Sequence, residues 1–361
     1  MKSSVAVTAS ESGASEQTHE APAGATTRWS WRNLVGNTEF QLLVALLVLT
    51  GVWAVLYPEV FPTSDNFLNM GRVGSILLVV AIGQMFALVV GGFDLSVAAN
   101  MGFVSTVVSM HITGGTAFVD GVLLGLAVGA AIGLVNGVLI AGLGITPFVA
   151  TLGTLTFLTG YANQISQGQS IASLPSGFQA LGGGDWGPLP AAIGIAAITL
   201  LVAWIVLART RVGLYVFAIG GSRETARVSG IAVKRYEILA YTACGFFAGL
   251  AGIMLASRVS VGVASLGQGY DLLSIATAVI GGVAIGGGIG KLRGVVLGVV
   301  LLTVLRNGLD IVGLNEFAQQ MITGVVLIVA VLAARTRGID IAGIFRRGRR
   351  GAAGDGSLPT G

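Results

Sequence analysis

Long apolar runs, each about the length of one bilayer crossing, alternate along the chain with short polar or glycine-rich breaks. A helix rising 1.5 Å per residue needs about 20 mostly apolar residues to cross a ~30 Å hydrocarbon core. By that measure ten segments are predicted to span, at 39–57, 73–91, 95–112, 118–141, 146–162, 188–208, 237–256, 271–290, 292–312 and 318–334. The third, fifth and eighth are the least secure. Ser274 to Gly290 in the eighth is so glycine-rich that a broken or re-entrant helix competes with a full crossing. The expected fold class is an all-α polytopic membrane protein.

The polar stretches set the domain limits. Residues 1–38 read as a disordered N-terminal tail, because Met1 to Thr27 are rich in Ser, Ala, Thr, Gly and Glu without the apolar core of a signal peptide. Residues 39–336 form the membrane domain, and 337–361 a basic tail in which Arg346, Arg347, Arg349 and Arg350 read as a positive-inside anchor or an anionic-lipid contact. Arg209, Arg211, Arg223, Arg227, Lys234 and Arg235 crowd the loop 209–236, whereas 163–187 holds no Lys or Arg. That asymmetry predicts a cytoplasmic loop, and counting spans in both directions puts both termini on the same side. Arg72 and Arg258 fall on the outer side as exceptions.

Composition narrows the class further. Of 361 residues 54% are hydrophobic and 10% charged, against about 25% charged in a soluble domain. A net charge of +4, dispersed among apolar runs, argues against a nucleic-acid partner. Cys244 is the single cysteine, which excludes an intramolecular disulfide and a cysteine metal cluster. The 56 glycines are about twice the usual share and suggest helices whose backbones approach closely. Gly121, Gly125, Gly129, Gly133 and Gly137 recur every fourth residue, as do Gly282, Gly286, Gly290, Gly294 and Gly298. Each stripe is either static packing or a sliding surface, and the second divides between two segments if the chain turns at Lys291.

Two copies of one pattern stand out. Asn136-Gly137-Val138-Leu139-Ile140-Ala141-Gly142-Leu143 and Asn307-Gly308-Leu309-Asp310-Ile311-Val312-Gly313-Leu314 share NG-x-x-I-x-G-L, and upstream lie Gly92-Phe93-Asp94-Leu95 and Gly269-Tyr270-Asp271-Leu272. The predicted topology starts one copy on each side of the membrane, which is the inverted repeat of many transporters.

Sites for chemistry are few. Gly286 to Lys291 mimics a phosphate loop, but Ile285 and Leu292 occupy positions that need Gly and Ser or Thr, so no Walker loop is present. With only His19 and His111, metalloprotease and serine-hydrolase arrangements have no residues, and no enzyme activity, cofactor or metal site is expected in the chain itself. Arg306 and Asp310, four apart, are placed to pair on one helix face, with snorkelling or a role in a solute path as alternatives. Asp94 is expected at the cytoplasmic edge, where the Gly91-Gly92 break and Ser96 suggest a turn and a helix N-cap. In the loop, Ser222 is predicted to cap a short helix with Glu224 in its first turn and Gly230 at its end. Two turns are not stable alone, so the helix makes sense docked on another protein.

The chain resembles the permease subunits of ribose-type sugar ABC importers, in the wider group that includes branched-chain amino acid permeases. The likeness lies in Gly91-Gly92-Phe93-Asp94-Leu95-Ser96-Val97, similar to GG-[IF]-DLSVG with Ala98 for the last glycine. It continues in Gly133-Leu134-Val135-Asn136-Gly137 with Ile145-Thr146-Pro147-Phe148-Val149-Ala150-Thr151-Leu152-Gly153. The third block is Arg209-Thr210-Arg211-Val212-Gly213 through Ala218-Ile219-Gly220-Gly221-Ser222 to Ala226-Arg227-Val228-Ser229-Gly230-Ile231, with Ser222 for Asn. Ala278-Val279-Ile280-Gly281-Gly282 and Asn307-Gly308-Leu309 complete the series.

The resemblance covers about residues 39–336. It implies a homodimer or heterodimer of permeases in a bacterial cell membrane, an extracytoplasmic solute-binding protein, and separate ATPase subunits that hold ATP and magnesium. These would grip Ser222, Arg223, Glu224, Ala226, Arg227 and Gly230. The DLSV form favours a sugar over an amino acid. Alternating access through the permease would require about 5.5 kcal/mol to swing a two-state equilibrium from 1:99 to 99:1. Asn136 and Asn307 are candidate hydrogen-bonding groups along the solute path, and Gly92, Asp94, Gly125, Gly129, Gly133 and Gly137 are the expected structural positions. An ion-coupled secondary transporter is the competing class, and it should show several carboxylates in mid-span.

Overall fold

The computed structural model describes residues 38–336; the predicted tails, including the arginine cluster, lie outside the described residues. Each predicted span contains a helix, the eighth in its first half alone. They are α1 (Thr38–Leu56), α2 (Ser64–Val89), α3 (Val97–Thr113), α4 (Phe118–Gly137, continued by a π-turn over Val138–Gly142) and α5 (Pro147–Ser166). After a connecting segment with the four-residue α6 (Ser176–Gln179) come α7 (Ala191–Arg209), α8 (Arg211–Gly221), α9 (Arg223–Val228), α10 (Val233–Val259), α11 (Tyr270–Ile280), α12 (Leu292–Ile311) and α13 (Glu316–Thr336). A small antiparallel hairpin, β1 (Asp185–Trp186) with β2 (Leu189–Pro190), precedes α7 with Asp185 opposite Pro190. Among the described residues six helices are long and apolar enough to cross a membrane, and α3 and α11 are shorter apolar helices.

α2 begins where capping allows rather than where hydropathy rises. α2 starts at Ser64, before the apolar run at 73, because the Thr63 hydroxyl accepts the Asn66 N–H at 3.3 Å. Asn66 and Asn69 of that added stretch meet Asn307 of α12 and Arg258 of α10. α11 has eleven residues, about 16 Å of helix, half of the hydrocarbon thickness. It ends at Gly281, and residues 281–291 run as glycine-rich turns up to α12, so the eighth span is a broken helix.

α2 and α10 occupy the centre of the bundle and contribute much of its largest buried cluster. α10 lies along α4 at backbone contact. A Cβ on Gly129 would sit 2.8 Å from the Gly245 carbonyl oxygen and 2.9 Å from the Gly249 Cα, and one on Gly133 would strike the Tyr241 carbonyl oxygen. Side chains larger than hydrogen are excluded there, so the first glycine stripe is a packed seam. Gly125 faces Val104, Val108 and Ile253 side chains, and Gly137 faces the Ile238 backbone. The second stripe is divided: Gly282, Gly286 and Gly290 lie in the turns, while Gly294 and Gly298 of α12 meet Gly281 and Thr277. α1 is peripheral and exposes Leu47, Val48, Val55 and Leu56, an apolar face suited to lipid.

Polar bonds tie down both ends of the bundle. Glu39 of α1 pairs with Arg293 at 2.6 Å and Lys291 at 3.4 Å. At the opposite end Arg72 pairs with Asp185 at 2.7 Å and Arg258 donates to Asn69 at 3.1 Å, which accounts for two arginines on the less basic side.

Candidate functional site

At one end of α2 lies the basic segment 209–236. Its short helix α9 forms as predicted: Ser222 has an extended backbone and its hydroxyl accepts the Thr225 N–H at 3.2 Å. Gly230 closes it at φ +81°, with the Ile231 N–H donating to the Ala226 carbonyl at 3.0 Å. Ala226 is buried against Ile219 and Val233, and Arg223 reaches Glu237 of α10 at 2.6 Å. The opposite face, with Glu224, Arg227 and Val228, is exposed, Val228 at 73%.

Part of the expected loop 209–236 folds as α8. It is an amphipathic helix capped by Thr210, whose hydroxyl accepts from the Val212 N–H, and its buried Gly213, Val216 and Ile219 follow helical spacing. That spacing was the available signal. α8 carries Gly220 against the Val89 carbonyl at the end of α2 and against the Gly288 nitrogen. Gly288, at φ +73°, donates its N–H to the same Val89 carbonyl at 2.9 Å, and a Cβ on Gly287 would sit 2.7 Å from the Gly91 nitrogen. The end of α8, the break after α2 and the turns after α11 therefore meet in one backbone junction, with glycine at 91, 220, 287 and 288 around the Val89 carbonyl.

Beside this junction the first repeat motif folds onto itself. Asp94 is 1% exposed, so it is enclosed by helices rather than placed at an aqueous edge as the sequence suggested. The N-cap of α3 is Ser96, without a side-chain capping bond. The Asp94 carboxylate instead accepts from the Ser96 N–H at 2.8 Å, from the Ser96 hydroxyl at 2.6 Å and from Asn136 Nδ2 at 3.2 Å. Asn136 Nδ2 also donates to Ser96 Oγ at 2.8 Å, and its Oδ1 accepts from the Thr154 hydroxyl at 2.6 Å. Gln84 brackets the Asp94 backbone, accepting from its N–H at 3.0 Å and donating to its carbonyl at 3.1 Å. Burial pushes the Asp94 carboxyl up, and the bonds from Ser96 and Asn136 pull it partly back. Gly92 lies under Tyr241, whose hydroxyl a Cβ would strike. The cluster joins α2, α3, α4 and α5, and both polar ends of Asn136 are committed within it.

The second motif copy lies at the other end of α2. Asn307 and Asn66 exchange two side-chain bonds, at 2.7 and 3.0 Å. Asn307 borders a cavity of about 820 Å³ walled by the start of α2, the end of α10, the start of α11, the end of α12 and the start of α13. Arg258, Tyr270, Arg306, Asp310, Glu316 and Gln319 line it. The expected pair of Arg306 with Asp310 does not form: Asp310 accepts from Gln319 Nε2 at 2.6 Å. Among the described residues no ion pair engages Arg306. Since Val89 and Asn69 mark opposite ends of one helix, Asp94 and Asp271 start their motif copies at opposite ends of the bundle.

Asn100 escaped the sequence reading. Its amide donates to the carbonyls of Gly129 at 3.3 Å and Gly245 at 3.1 Å, which are reachable because neither residue has a side chain. An asparagine inside an apolar span was the signal.

Residues 66–331 match the family model described as branched-chain amino acid transport system / permease component. The chain is 34% identical to the ribose import permease protein RbsC of Escherichia coli K12 over 288 residues, 79% of this chain and 89% of the relative. It is 35% identical to the L-arabinose transport system permease protein AraH of the same strain over 286 residues, 79% of this chain and 86% of that protein. RbsC of Bacillus subtilis 168 is 34% identical over 281 residues, covering 77% of this chain and 87% of its own. No solved structure matches the chain.

Proposed function

The chain belongs to the branched-chain amino acid transport system / permease component family, a multi-pass membrane permease, and from that membership we propose that it is the membrane subunit of an ATP-driven importer for a monosaccharide. Ribose is the first candidate, because full-length relatives at 34% identity bear that name and arabinose and galactose permeases stand beside them. The observation that carries the reading is the exposed face of α9 at one end of the bundle, with a polar cavity at the other.

In this reading α9 docks separate ATPase subunits, which hold ATP and magnesium, and lies in the cytoplasm of a bacterial cell together with both termini. Glu224 and Arg227 contact the partner while Ala226, Ser222 and Gly230 hold the helix in shape, and Arg223 braces it to Glu237. Movement of α9 passes through α8 to the Gly220, Val89 and Gly288 junction, and from there to the broken segment that begins with α11. The cavity faces an extracytoplasmic solute-binding protein, and a second permease copy completes the passage. Asn307 lies on the solute path; Asn136 braces the helices around Asp94.

A branched-chain amino acid is the second reading, favoured by the description of the family model. The experiment that separates them is ATP hydrolysis by the reconstituted complex with binding proteins loaded with D-ribose, L-arabinose, D-galactose or L-leucine. Stimulation by a sugar-loaded protein supports the proposal, and stimulation by the leucine-loaded one alone overturns it.

A further inference from the structure

We propose that the cavity at the α11 end is a recognition site for the vicinal hydroxyls of a neutral sugar, with Arg306 and Asp310 as its specificity-determining residues; this rests on the importer reading above. The volume of about 820 Å³ falls within the ~300–1,000 Å³ of small-molecule sites. Its charges are Arg258 and Arg306 against Asp310 and Glu316, two of each sign, so the lining presents no net field for an anion or a cation. What remains is a dense set of directional donors and acceptors, with the Tyr270 ring as a flat apolar surface.

Three observations single out Arg306. It stands inside the predicted ninth span, where an unpaired charge is costly and marks a solute path by default. Among the described residues no carboxylate pairs with it, although Asp310 lies one helical turn away. One turn back on α12, Thr303 also borders the cavity, and among the described residues its hydroxyl, buried against Gly74, has no hydrogen-bond partner. A guanidinium fork and, one turn on, a carboxylate for which only the Gln319 bond is found among the described residues match two adjacent hydroxyls, which both donate and accept. The break at Gly269, φ +86°, places the first turn of α11 in the wall of the same space.

The test compares D-ribose with 2-deoxy-D-ribose, which lacks one hydroxyl, in ATP-driven uptake by the complete complex in proteoliposomes. The same binding protein and ATPase serve every variant, so changes in the ratio of the two rates report the permease alone. We expect Arg306→Gln and Asp310→Asn to slow ribose uptake about tenfold or more, the cost of losing a hydrogen bond to a charged group, and to bring the ratio toward one. Asp120→Asn, an exposed change at the start of α4, keeps the wild-type ratio. If both cavity variants slow the two sugars equally, or neither, the cavity does not read the sugar and the inference is overturned. If the wild-type complex takes up no sugar under ATP, it is the importer reading that falls.

Discussion

The Gly288 N–H meets the Val89 carbonyl at 2.9 Å, joining the turns after α11 to the end of α2, and Gly220 of α8 fills the remaining side of the contact. Backbone atoms make the contact at all three positions, so in the proposed coupling, motion of α8 would reach the broken helix without passing through rotatable groups.

Gly288→Ala should therefore separate ATP hydrolysis from transport. An alanine at φ +73° costs about 1–2 kcal/mol, and its Cβ would lie 2.7 Å from the Gly221 Cα. That strain is enough to shift a two-state equilibrium roughly tenfold. Sugar moved per ATP hydrolysed, measured in proteoliposomes, is expected to fall by that order while the protein still purifies as a folded complex. An unchanged ratio would remove the junction from the coupling route.

Asn136 matters for stability through Asp94. Asn136→Leu removes a donor from a carboxylate that is 1% exposed and leaves the Thr154 hydroxyl with only the Ala150 carbonyl as acceptor, so a loss of roughly 1–3 kcal/mol is expected. Thr154→Val, which leaves the Asp94 bonds in place, should cost less. Thermal unfolding of the purified membrane protein orders the two variants, and an equal or reversed order would contradict the arrangement.

The α4–α10 seam gives a contrast within one residue type. Gly133→Leu drives a side chain into the Tyr241 and Thr242 backbone and should prevent accumulation of folded protein, whereas Gly160→Ala, with open space around its Cβ, should be neutral. Yield of monodisperse protein in detergent reads the difference.

Much of this architecture was legible in the chain, because a hydrocarbon solvent forces backbone bonds inside each segment and makes hydropathy and length decisive. The glycines after Ile280 made a broken helix an alternative to the full eighth crossing, and the structure takes that alternative, while the start and end of α9 followed from Ser222 and Gly230. The long-range polar contacts were not legible. Asp94 with Asn136 and Asn66 with Asn307 join residues whose partners are set by how helices pack, and a sequence shows only that each is polar. The Arg306 and Asp310 spacing suited a pair, yet Gln319 from the next helix took the carboxylate. α8 was missed because its arginine-flanked start read as loop, while its burial pattern is that of a helix lying on the end of the bundle.

The central claim is that energy for transport enters from outside this chain at α9. The most direct measurement is sugar uptake into proteoliposomes with the ATPase subunits present or omitted, and with proton and sodium gradients imposed or collapsed. The account predicts uptake that requires the ATPase and ATP and is indifferent to both gradients. Uptake that continues without any ATPase and follows a proton or sodium gradient would contradict it.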